Sequence, residues 1–328
     1  MPLPTTRQVH VDTLLTNVAI QYIQSADNYI ADKVFPLVPV EKKSDLYVVY
    51  KKGEFLRAAA KRRAPGTESA GGGYELDLTN LYICEPIAFH KDVSDQERQN
   101  ATSPIDPDKD ATNFVTSVLL NTREVEFAQK FFAPGVWSTE LQGVSAAPGA
   151  GQFLQWDQAN SDPIGDVRSA MAAVLESTGF LPNVLAMDFK TFSALADHPQ
   201  IIERVKYGAG VQNPAIINPQ VLAAIWGLEE VVVGKAVVNT APTGASPSVS
   251  FVLPKVALLV YRQKTPSLMQ PSAGYIFGWR GYAQNPYGVA IKRFRLEHLE
   301  SDRIEGSLAY DQKVVAPDLG VLFKNTIA

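Results

Sequence analysis

Hydrophobic and polar positions alternate with two different periods along the chain. Tyr74, Leu76 and Leu78 alternate with Glu75, Asp77 and Thr79, which predicts a strand with one buried and one solvated face. Residues 46–50, LYVVY, are β-branched and aromatic and read as a strand as well. Between the two stands AAAKRRAPGTESAGGG, residues 58–73, with three adjacent basic side chains and a glycine triplet. That composition suits a long hairpin extension that gains order only when something packs on it. Upstream, Pro36 and Pro39 predict an extended run over residues 35–40.

The strongest helical pattern covers residues 112–133. Phe114, Val118, Val125 and Phe132 fall on one stripe, flanked by Val115, Thr122 and Ala128. Leu120, Phe127 and Phe131 make a second apolar strip, and Thr116, Arg123, Glu126 and Lys130 share a polar wedge. Asp110 is the expected cap and Pro134-Gly135 the stop. Such a helix is about 30 Å long, a strut with two sides to cover.

Beyond Ser161 helices and strands alternate. Asp162-Pro163 opens a helix with Ile164, Val167, Met171, Val174 and Leu175 on one face, and Gly179 stands where a C′ glycine belongs. Residues 184–188 read as a strand running into a helix at 189–196. Short helices at 200–207 and 220–226 have proline near their starts and glycine after their ends. Residues 228–238 and 250–261 read as strands, so 150–262 is expected to be a compact α/β unit. The last third returns to strands at 287–300 and 303–315. If these pair with the early strands, the α/β unit is an insertion in a sheet-and-helix domain.

Composition narrows the picture. The 328 residues are 46% hydrophobic, enough for a sizeable core. A formal net charge of −4 argues against a protein built to grip nucleic acid. The single cysteine, Cys84, excludes an intrachain disulfide and points to a reducing compartment. MPLPTTRQVHVDTLL has no apolar core of a secretory signal, and the longest apolar runs fall far short of the ~20 residues of a membrane helix. A soluble intracellular product is expected.

Candidate chemistry is thin. Gly66 and Gly71 supply the glycines of a phosphate-binding loop, but Gly72 and Gly73 stand where lysine and Ser/Thr belong. Asp106, Asp108 and Asp110 imitate a calcium loop, yet its sixth position is Ala111 and its twelfth Ser117. His10, His90, His198 and His298 are far apart, with no metal-type neighbour at helical spacing. Gly244-Ala-Ser246-Pro-Ser248 fails as a nucleophile elbow. Cys84, inside an apolar strand, reads as a buried inert thiol. Lys61-Arg62-Arg63 is a small basic footprint that suits an acidic patch on a neighbouring protein as well as it suits nucleic acid.

The order of these parts resembles the major capsid proteins of tailed bacteriophages, with the HK97-type fold. DNYIADKVFPLVPVEKK looks like the family's N-terminal arm, residues 46–82 like its extended loop, and residues 112–133 like its spine helix. PNVLAMDFKTFSALADHPQI with WGLEEVVVGKAVV looks like the axial domain; the stretches from YGVAIKRFRLE to AYDQKVVAPDLGVLFKN look like the last strands of the peripheral and axial domains.

The resemblance implies an α+β, HK97-like capsid fold: an N-terminal arm (1–45), an extended hairpin loop (46–82), a peripheral domain (83–149 and 263–328) and an α/β axial domain (150–262). It implies a non-enzymatic shell subunit without cofactor or metal, forming hexamers and pentamers of an icosahedral head around double-stranded DNA. Partners would be further copies, a portal, a separate scaffolding protein (the chain lacks the N-terminal coiled coil of some relatives), a decoration protein, and packaged DNA through weak contacts. No membrane is implied. The product would assemble in the host cytoplasm and reside in the virion. Phe35, Pro36, Lys61, Arg62, Arg63, Glu68, Leu120, Phe127 and Phe131 are the expected contacts between subunits. An encapsulin-type nanocompartment shell and an unfamiliar α/β enzyme are the alternatives.

Overall fold

The computed structural model describes residues 24–50, 52–101, 105–208, 217–265, 271–282 and 289–328. His10, most of the expected arm and the start of the strand expected at 287–300 lie outside them.

A five-stranded sheet is organised by its longest strand, Ser301–Val314. Glu85–Ser94 pairs antiparallel along one side of it, from Ser301↔Ser94 to Tyr310↔Glu85. The other side is shared by Ala290–Leu296 and Gly274–Trp279, both antiparallel, and Leu37–Val40 adds on parallel to Gly274–Trp279. The long helix, Pro107–Phe131, packs on this sheet. Gly306 allows the approach: a Cβ there would stand 2.6 Å from Val115 and 2.7 Å from Leu119. Gly306→Ala is therefore expected to cost about 1–3 kcal/mol through overpacking. Thermal unfolding of the subunit would show it, with Gly53→Ala, where no neighbour lies within 4 Å, as the unchanged control.

The helix differs from its sequence reading at its start and in its buried face. Asp106, not Asp110, is the N-cap, accepting from the backbone N–H of Asp108 and Lys109, and Pro107 takes the first helical position, where no N–H is needed. The core face is Ala111, Val115, Leu119, Phe127 and Phe131, while Phe114 is 49% exposed. Arg123 and Glu124 are buried as well, because the N-terminal segment lies on them. The Glu124 carboxylate accepts from Ile30 N at 2.9 Å and Ala31 N at 3.1 Å, and Arg123 pairs with Asp32 at 2.5 Å. Burial pushes the Glu124 carboxyl above its ordinary value, against the opposing pull of those two N–H groups.

A six-stranded sheet runs in the order Gln152–Leu154, Thr139–Val144, Gly320–Lys324, Val256–Val260, Val184–Asp188, Glu230–Gly234. Both faces are covered. Val184, Ala186, Leu258, Val260 and Leu322 join the core that contains Phe35, Phe127 and Phe131, whereas Leu185, Met187, Ala257, Leu259 and Phe323 pack with the helices Pro163–Thr178 and Pro219–Trp226. The glycines expected to end these helices do so, Gly179 at φ 79° and Gly227 at φ 74°.

The hydrogen-bonded units do not follow the boundaries drawn at 149/150 and 262/263. Thr139–Val144 and Gly320–Lys324 sit in the same sheet as Val184–Asp188 and Val256–Val260. Local pattern marks a strand, but its partner is chosen by contacts remote in sequence.

Candidate subunit-contact surfaces

Ser44–Tyr50 and Leu76–Ile83 form a separate antiparallel ribbon in the register Ser44↔Ile83, Leu46↔Leu81 and Tyr50↔Leu76, with an irregularity between Tyr47 and Val49. Opposed residues share a face, so Leu46, Leu81, Ile83, Tyr50 and Leu76 point one way. Tyr47 and Tyr82 point the other way and pack on Phe277, with ring centroids 5.6 and 4.6 Å from it. Cys84 is buried at this base, its thiol pushed up to about 12 by burial, so it carries little thiolate at neutral pH.

The apolar face of the ribbon is bare. Leu46 is 56% exposed and Leu78 54%, and ten of the large apolar side chains left exposed among the described residues lie between Leu46 and Ile83. The alternation at residues 74–79 was expected to mean burial, and here it marks the outward face. Nearer the tip, Tyr50, Phe55 and Tyr74 gather with centroids 5.6–5.7 Å apart. Lys61, Arg62, Arg63 and Glu68 follow, all exposed, and Arg63 donates to the Thr67 carbonyl. Lys52 ties the hairpin back to Asp318, which also accepts from Ser138. The Lys52 ammonium, then the Ser138 hydroxyl, hold the Asp318 carboxyl below its usual range.

Three expected contact residues are elsewhere. Phe35, Phe127 and Phe131 are fully buried and pack on one another, Phe35 with centroids 6.1 Å from Phe127 and 4.5 Å from Phe131. A buried side chain cannot reach a neighbouring subunit, so these three belong to the subunit's own core. Residues 29–35 are likewise no free arm, since Ile30, Ala31 and Val34 are buried with Phe35. Pro36 and Leu120 are half-buried. The bare hairpin face was missed because period two reports which residues share a side and not which side is wet.

A second polar surface closes the start of the long helix. Arg98 reaches Asp108 at 2.8 Å and Asp302 at 3.0 Å, Arg293 meets Asp302 at 2.5 Å, and Arg295 meets Asp95 at 2.5 Å. Arg293 and its neighbours hold the Asp302 carboxyl below its ordinary range. Asp302→Asn removes the anion that three guanidiniums share. It is expected to lower the melting temperature, with the deficit shrinking at about 1 M salt, where the Debye length is near 3 Å. A deficit independent of salt would mean the cluster acts by packing.

Possible catalytic groups are few. His198 is buried between two helices; its Nδ1 accepts the Gln200 N–H at 3.2 Å, so Nε2 carries the proton and faces the Gln158 carbonyl at 3.1 Å and Ser161 Oγ at 3.1 Å. It shows that hydroxyl an N–H and no lone pair, which is unlike a nucleophile–base pair. Among the described residues no cluster of His, Cys, Asp and Glu could hold a metal, and no helix is long and apolar enough to cross a membrane.

No family model matches the chain. It is 24% identical over 319 residues to the major capsid protein of Pseudomonas phage JBD67, covering 97% of each chain. A solved phage-related protein from Bordetella bronchiseptica RB50 is 26% identical and superposes with TM-score 0.67 over 92% of this chain and 94% of that one. The capsid of cyanophage P-SCSP1u, 10% identical, superposes with TM-score 0.61 over 97% and 93%, a likeness of fold. The chain is a phage major capsid protein of the HK97-type fold. A capsid protein must bury surface against its own copies, and the hairpin carries ten of the twenty-one large apolar side chains left exposed among the described residues.

Proposed function

We propose that this capsid protein closes the icosahedral head of a tailed double-stranded DNA phage, as hexamers and pentamers in which the hairpin lies on an adjacent subunit. The observation that carries the reading is the ribbon with its uncovered apolar face. An isolated two-stranded hairpin is marginal in water, and a bare patch of this kind marks a protein–protein surface. Repetition around a closed shell turns individually weak contacts into a stable whole. The exposed basic tip, Lys61 to Arg63 with Glu68 beside it, seats against an acidic patch of the neighbour. Residues 46–82 then act as the extended loop, Pro107–Phe131 as the spine helix, and the two sheets as the bodies of the peripheral and axial domains. The product resides in the virion after assembly in the host cytoplasm. A portal and a separate scaffolding protein complete the head, with room for a decoration protein and weak contact to packaged DNA.

Negative-stain microscopy of the purified protein, alone and from infected or expressing cells, tests this. Uniform hollow shells or capsomer rings are expected. A monomer or small dimer that persists at high concentration, with or without scaffold, overturns it. The contents separate a phage head from a nanocompartment, which would hold a cargo enzyme in place of DNA.

A further inference from the structure

The hairpin touches the body of its own subunit at two places far apart along its length. At the base, Tyr47 and Tyr82 sit on Phe277, and the Ile83 N–H donates to the buried Asp311 carboxylate at 2.9 Å. Attachment there alone would leave the ribbon free to swing. The 7 residues of Ser44–Tyr50 reach about 23 Å, so a tilt of about 10° at the base moves the far end by about 4 Å. That is enough to take an apolar side chain out of contact with a partner, since such contacts end near 4.5 Å.

The second attachment is at the far end. Lys52 opens the short helix Lys52–Phe55. Its ammonium meets one Asp318 oxygen, and the Ser138 hydroxyl donates to the other. The acceptor side is rigid. The Pro317 carbonyl accepts from Ser138 N at 3.3 Å, the Leu319 carbonyl accepts from Tyr261 N at 2.9 Å, and Leu319 itself is buried. Leu56 makes a separate contact at the end of the helix Pro163–Thr178, where a Cβ added to Gly179 would stand 3.8 Å from a Leu56 methyl. The rings of Tyr50, Phe55 and Tyr74 join the ends of both strands to the short helix. What holds Lys52 therefore holds the ribbon as a unit.

We propose that Lys52 and Asp318 form a clasp that fixes the tilt of the hairpin on its own subunit and so presents its apolar face at one angle to the next copy of the chain. The pair spans 266 residues of sequence, so it supports no local turn or helix. An exposed ion pair adds little to stability, and here its effect is on orientation. A ribbon already held in one pose loses less freedom on docking than one that swings, and the gain recurs at every hairpin of a shell. Lys52 and Asp318 are positioning residues in this scheme, whose second half rests on the shell reading above.

Two measurements on the full chain test it. Nitroxides are attached at Leu76→Cys, exposed at the far end of the ribbon, and at Glu176→Cys, exposed on the helix, in the Leu46→Asp/Leu81→Asp background. Cys84 is buried and stays unlabelled. Double electron–electron resonance should give one narrow distance distribution in this chain and with Lys52→Arg, and one broader by about 4 Å with Asp318→Asn or Lys52→Gln. The two disruptive variants lie on opposite sides of the pair, so failure of one to fold leaves the other informative. Without labels and in the parent sequence, the same two variants should slow shell growth, followed by light scattering, about threefold or more at an unchanged melting temperature. Distributions of equal width in all the chains would overturn the clasp. A broadened hairpin with shells growing at the parent's rate or faster would overturn its part in presentation. A parent that builds no shells sinks the shell reading instead, and the distances alone then decide the clasp.

Discussion

Leu46→Asp/Leu81→Asp is expected to give a folded subunit that builds no shells. The two residues face each other across the ribbon on its bare side, so the change removes no packing from the subunit's cores. In the subunit the carboxylates stand in water, and like charges directly opposite cost the ribbon about 0.2–1 kcal/mol. In an assembled shell the same groups would be buried against apolar surface. Each buried charge without a partner costs several kcal/mol, and the loss recurs at every copy. Sedimentation velocity and microscopy should find a monomer or small oligomer, while circular dichroism and the melting temperature stay close to the parent's. Shells of normal size and yield would show that this face remains wet in the assembly and would remove the central argument for the hairpin as a contact. Lys61→Ala at the tip, exposed in the subunit, serves as the milder companion.

Where the sequence was legible, the signal was local. Val184–Asp188 and Phe189–Ala196 stand at the residues the pattern indicated, since an apolar run meets the side chain of Asp188, which caps the helix by accepting from Lys190 and Thr191. Gly179 and Gly227 end helices because a left-handed residue is needed there. The hairpin and its basic tip were likewise visible in composition. The failures share a different cause. The stripe through Phe114 is as apolar as the one through Phe127, and only the placement of residues 24–35 and of the sheet decides which is buried. Phe35, Phe127 and Phe131 therefore looked available for contacts between subunits, whereas their closest partners are one another. Nor does any local feature of Glu124 announce that it holds the N–H groups of residues almost a hundred positions away.

Glu124→Ala is expected to be the most damaging single change within the subunit. It leaves the N–H groups of Ile30 and Ala31 buried without acceptors, at about 1–3 kcal/mol each, so a total loss of about 2–6 kcal/mol is expected in urea unfolding of the assembly-deficient double variant. Residues 30–35 would also show faster hydrogen exchange, because the segment loses the anchor that seats Phe35 in the core. Glu124→Gln keeps the shape and one acceptor but turns an amide donor toward an N–H, and should fall between the two. pH separates the opposing contributions to this site. Burial raises the carboxyl in the folded state above its unfolded value of about 4.3. The folded state therefore takes up the proton first. As pH falls from neutral through that raised value toward about 4.3, the parent should gain stability relative to Glu124→Gln, which has no proton to bind there. Arg123 opposes this shift and Asp32 adds to it, so the Asp32→Asn background should reduce the gain. A gap that narrows on acidification would mean that the two backbone N–H groups outweigh burial and that Glu124 is held as a stabilised anion.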